Sequence, residues 1–172
     1  FNLSCDNEAG PPATASVSVT RNVAPQISNL SSSEGLSTGA STTDISWDVI
    51  GYPAPTCTLN NVAATSPANN QPLTNGDNDF DVVCTNGVNP DATASITVEK
   101  TQAASMSDIT SSEGLSTTAA STDLSRTTAG EPTPDCALGG NPVDSPLTVG
   151  LNNGDNTFTI TCDNSSGPPV TK

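Results

Sequence analysis

Two sets of residues in this chain carry chemistry by type and spacing. The first is the cysteines. Cys57 and Cys136 stand 79 residues apart (136 − 57), and Cys5, Cys84 and Cys162 step by 79 (84 − 5) and 78 (162 − 84). Thiols that recur at a fixed period fit a role as staples, one pair per repeat: Cys57 with Cys84, and Cys136 with Cys162. Cys5 aligns with the second member of each pair, is unpaired within the chain, and has its expected partner upstream of Phe1. The second set is Asp77, Asp79 and Asp81, spaced D-x-D-x-D like a hard-cation loop, so calcium is the one cofactor to weigh. The EF-hand pattern then fails, because Val82 stands where Gly is required and no Glu closes the loop. The next copy keeps Asp155 but carries Thr157 and Thr159. The favoured account is a turn with solvated acids, since Asn and Asp are good turn residues. No cofactor is expected.

Catalytic groups are missing. Histidine is absent, the paired cysteines are structural, and the acids fall on strand exteriors and turns rather than around a cleft. The chain is therefore read as not an enzyme. Its 18 acidic against 4 basic residues give a net charge of −14. Such a charge repels nucleic acid and anionic membrane surfaces. No stretch is long and apolar enough to span a bilayer, so membrane insertion is not expected. Sequons stand at Asn2, Asn29 and Asn164. The Ser/Thr-rich stretches 28–43 and 111–122 read as polar edges or loops, with O-glycans as the alternative.

The elements that position these residues come from alternation. Ile45, Trp47 and Val49 face one way and Asp44, Ser46 and Asp48 the other, the period of a half-buried strand. Cys57 and Leu59 share a face. After the turn at Asn75-Gly76-Asp77-Asn78, Phe80, Val82 and Cys84 share another. The next copy repeats that strand as Phe158, Ile160 and Cys162. Ala92, Ala94, Ile96 and Val98 alternate with polar residues, as do Ala13, Ala15, Val17 and Val19. Ser33-Glu34-Gly35-Leu36-Ser37-Thr38 and residues 112–117 match one for one. About seven short strands per repeat, with frequent turns and no helical period, give an all-β sandwich. The repeat sets the expected domains: 1–22 as the last two strands of an incomplete unit, 23–101 as a complete unit, and 102–172 as a unit truncated at or before its last strand. The links around 21–24 and 100–103 are short, which implies a stiff array.

Ile-Ser-Trp-Asp-Val at 45–49, Pro-Thr-Cys-Thr-Leu at 55–59, Asn-Asp-Phe-Asp-Val-Val-Cys-Thr-Asn at 78–86 and Ala-Thr-Ala-Ser-Ile-Thr-Val at 92–98 resemble tandem bacterial immunoglobulin-like repeats of large secreted surface proteins, including adhesin stalks and fibres. The resemblance implies that Trp47 lies on strand B, Cys57 on strand C and Cys84 on strand F. Each bridge would then staple neighbouring strands of one sheet, and residues 1–22 would be strands F and G. One departure stands out: Trp47 aligns with Arg126, and Val49 with Thr128. A buried Arg is costly unless paired, so Arg126 is expected either to reach an acid at the edge or to lie on a shifted strand. It reads as a looser second core or as an interface residue.

These features point to a non-enzymatic structural segment of an extracellular or cell-surface filament or adhesin stalk. Its expected partners are copies of itself or neighbouring repeats in a fibre, with cell-surface or matrix glycans as a further class. The competing readings are a carbohydrate-binding or spacer module of a secreted enzyme, and an Ig-like decoration of a phage particle.

Overall fold

The computed structural model describes all 172 residues. Every regular element is a strand. The first two, β1 (Asn2–Cys5) and β2 (Ala13–Ser16), form an antiparallel hairpin with Leu3 opposite Ala15 and Cys5 opposite Ala13. Its residues are exposed along their length, Leu3 among them, and so are the flanking Phe1, Val17 and Val19.

Eight strands follow: β3 (Val23–Ser32), β4 (Ser37–Thr38), β5 (Thr42–Tyr52), β6 (Thr56–Leu59), β7 (Val62–Ala64), β8 (Ala68–Pro72), β9 (Gly76–Thr85) and β10 (Ala92–Lys100). They make a three-stranded sheet in the order β3-β5-β8 and a five-stranded sheet in the order β4-β10-β9-β6-β7. The alternation in the sequence dictates what is buried, because successive side chains of a strand point to opposite faces. Ile45, Trp47, Leu59, Phe80, Val82, Cys84 and Val98 are buried, Trp47 with 4% of its surface exposed. Val49, expected beside them, is half-buried, as the strand runs out towards exposed Ile50 and Tyr52.

The rest of the chain repeats this plan with interruptions. It comprises β11 (Gln102–Met106), β12 (Thr110–Ser111), β13 (Ser121–Ser125), β14 (Thr128–Glu131), β15 (Asp135–Leu138), β16 (Asn141–Pro142), β17 (Leu147–Gly150), β18 (Ile160–Asp163) and β19 (Val170–Thr171). Its sheets run β11-β14, β12-β13-β17 and β16-β15-β18-β19. The single strand β5 of the first copy thus becomes two pieces, β13 and β14, parted at Arg126-Thr127. Leu124, Val149, Ile160 and Cys162 are buried here. Phe158, expected in this core, is only half-buried. Residues 152–159 form no strand, so Phe158 lies outside the ladder that holds Ile160 and Cys162.

By backbone contacts the chain groups into two compact units: residues 1–30, 47–66 and 81–95, and residues 31–46, 67–80 and 96–172. That division crosses the long strands β3, β5, β9 and β10 and does not follow the links between repeats.

Candidate functional site

The repeats are held by polar latches that recur at matching places. Ser32 and Thr43 share a hydroxyl hydrogen bond of 2.6 Å, and Ser111 and Thr122 one of the same length. Thr43 and Thr122 are buried, so these bonds satisfy hydroxyls that water cannot reach. Ser33 and Ser112 reach the same threonines at 3.3 Å. The following glycines, Gly35 and Gly114, take φ values of 78° and 72°, which a side chain would resist. This accounts for the matching 33–38 and 112–117 segments: they are hydrogen-bonded corners as well as polar edges.

A second latch is an asparagine two residues past the last cysteine of each repeat. The Asn86 amide donates to the carbonyls of Val23 (2.9 Å) and Pro53 (2.8 Å), and the Asn164 amide to those of Gln102 and Pro132 (both 2.7 Å). Two glycines make room for it. A Cβ on Gly51 would lie 3.0 Å from Asn86 Nδ2, and one on Gly130 2.7 Å from Asn164 Nδ2. A third latch, Asn78 and Asn156, closes the turn before each cysteine strand. The Asn78 amide donates to the Thr74 and Gly76 carbonyls, and the Asn156 amide to those of Asn152 and Gly154. In the sequence, Asn78 read as a turn former and Asn164 as a sequon, while Asn86 and Asn156 carried no assignment. The signal available was their recurrence at fixed offsets from the cysteines.

Arg126 breaks the pattern. Its backbone N–H donates to Ser145 Oγ at 2.9 Å, just as that of Trp47 donates to Ser66 Oγ at 2.8 Å, so the two residues hold equivalent places. Where Trp47 is buried, the Arg126 side chain is half-buried and turns to the loop after β16. Its Nη2 donates to the Val143 carbonyl (2.7 Å) and its Nη1 to that of Asp144 (3.0 Å). The expected acidic partner is therefore replaced by two main-chain carbonyls, which offer good acceptor geometry without a second buried charge. The strand carrying Arg126 is broken rather than shifted. Nε is sealed from solvent with no acceptor, and an orphaned buried donor costs about 1–3 kcal/mol. Beside the guanidinium lies a groove of about 600 Å³, lined by Thr128, Thr133, Pro134, Asp135, Cys136, Ala137 and the 142–145 loop.

The remaining candidate residues fall as follows. Cys57–Cys84 and Cys136–Cys162 are disulfides, each joining directly opposed residues of adjacent antiparallel strands, β6 with β9 and β15 with β18. Cys5 is a free, exposed thiol. Asp77, Asp79 and Asp81 stand in a row on the exposed side of β9, where positions i and i+4 lie about 13 Å apart. Asp79 accepts a bond from Thr97 Oγ1 at 2.7 Å. The geometry does not gather the three carboxylates, and no group of three or more potential metal ligands converges anywhere in the chain. Of the sequons, Asn2 and Asn29 are exposed. The Asn164 amide nitrogen, the atom a glycan would join, donates to both carbonyls of the latch. Asp108, exposed, is held below the ordinary carboxylate value first by a 2.9 Å hydrogen bond from Lys172 and then by that residue's charge.

No family model matches the chain, and no curated protein matches it. Solved structures do. Immunoglobulin domains 1–4 of Sidekick-1 align with a TM-score of 0.58 and 16% identity, over 98% of this chain and 54% of that one. The fold is immunoglobulin-like. Sidekick-1 domains 1–5 give 0.56 and 15%, over 98% of this chain and 43% of that one. The chain spans about half the length of these two structures, and likeness at this identity speaks for the fold alone. No helix is long and apolar enough to cross a membrane.

Proposed function

We propose that this chain is a segment of a non-enzymatic extracellular array, a filament or adhesin stalk built from tandem immunoglobulin-like repeats. The observation that carries this reading is the recurrence, near a 79-residue period, of one complete set of holding devices: disulfide, Ser–Thr pair and two asparagine latches. Outward residues differ between copies, as with Asp48 against Thr127 and Asp81 against Thr159. What is repeated is the means of keeping shape, which suits a protein that acts by repeating and not by turning over a substrate. Disulfides of this kind form in oxidising compartments, which supports a place outside the cytoplasm. The partners of the array are its own neighbouring repeats or further copies.

Immunogold electron microscopy of the native source, with antibodies raised against residues 23–101, tests this. Labelled threads are the expected outcome. Label on a soluble enzyme or on virions would overturn it in favour of a spacer module or a phage decoration.

A further inference from the structure

We infer that the groove beside Arg126 is a binding site for a neutral saccharide of one or two pyranose rings. The argument begins with the guanidinium, which has five N–H donors. Two are spent on the Val143 and Asp144 carbonyls, and the Nε–H is sealed inside. Two therefore remain (5 − 2 − 1), on a planar group clamped in place before any ligand arrives. A preorganised donor of this kind spends little entropy on binding.

The other walls decide which ligand class fits. Asp135 and Asp144 line the groove and supply acceptors, and Thr128 and Thr133 supply hydroxyls. Two carboxylates against one guanidinium, on a chain of net charge −14, disfavour an anion. The guanidinium disfavours a cation. The aliphatic surfaces of Pro142 and Val143 offer apolar contact to the C–H faces of a ring. Clustered donors and acceptors around apolar patches, in a groove of about 600 Å³, match a polyol rather than a flat aromatic, and the volume lies within the range of small-ligand sites. The equivalent place in the first repeat is held by buried Trp47, so the site belongs to the second repeat. This inference deepens the extracellular-scaffold reading and rests on it for the setting in which glycans are met.

The test is NMR titration of the intact, oxidised chain with methyl glucoside, methyl galactoside, methyl mannoside, N-acetylglucosamine and maltose up to about 50 mM, since a millimolar Kd would saturate there. At least one sugar is expected to give saturable shifts at the Arg126 Nε–H and at the Thr133 and Asp144 amides. Arg126→Trp, which installs the residue of the first repeat, should weaken binding by about tenfold or more. If that variant fails to fold, Asp144→Asn removes a charged acceptor at the surface and should weaken binding severalfold. No shift with any sugar would overturn the inference. Saturation by indole or benzoate alone, or unchanged sugar binding by Arg126→Trp or Asp144→Asn, would overturn it too. Failure of sugar binding would leave labelled threads unaffected, and absence of threads would leave the titration unaffected, so the two readings fail separately.

Discussion

Trp47 and Asn164 mark the two ways in which single residues hold this fold. Trp47 does so by area: it is the chain's one tryptophan and is buried. Trp47→Ala is expected to cost about 3–5 kcal/mol, read as a lowered denaturant midpoint, and an unchanged midpoint would refute its place in the core. Asn164 does so by direction. Asn164→Ala leaves the Gln102 and Pro132 carbonyls without their donor and should cost about 1–3 kcal/mol. Chemical denaturation checks this, with exposed Asn2→Ala as a control expected to change little. The burial of Trp47 was legible in the sequence because alternation reports which face a side chain takes. The latch was not. Its acceptors lie 62 and 32 residues away along the chain, and carbonyls look alike in every residue, so the local motif suggested a glycan acceptor instead.

At the scale of elements, the cysteine strands are the best-specified parts. Each bridge spans 26 or 27 positions, and the pair faces directly across one ladder. Removing one bridge by Cys57→Ser with Cys84→Ser should cost about 3 kcal/mol in the chain-entropy model. Thermal unfolding of the variant under non-reducing conditions measures that loss, and a wild-type midpoint would show the bridge to be idle. These strands and their pairing were readable because period-two apolar faces and recurring thiols are local or periodic signals. The interruption between β13 and β14 was only half readable. Arg at the tryptophan position announced trouble, but its resolution depended on two carbonyls of the loop after β16, which no pattern in the sequence marks. Phe158 misled for a related reason: the alternation that places Ile160 and Cys162 on β18 runs on through Phe158 in the sequence, but the strand itself begins at Ile160.

For the whole molecule, the bridges also decide how the chain answers to pulling. A force applied along the backbone can draw out only the residues outside a closed loop. In each repeat the disulfide keeps 27 or 26 residue steps out of reach, which at about 3.5 Å per residue is roughly 90 Å of hidden length. Single-molecule stretching of the oxidised chain should therefore show unfolding steps about 90 Å shorter than those of the chain in reductant. Equal steps in the two conditions would mean that the bridges lie outside the loaded path. In a long thread this shortening would add up repeat by repeat. The oxidation state of the surroundings would then set how far such a thread stretches before it breaks, making each disulfide a stop on extension as well as a brace of the fold.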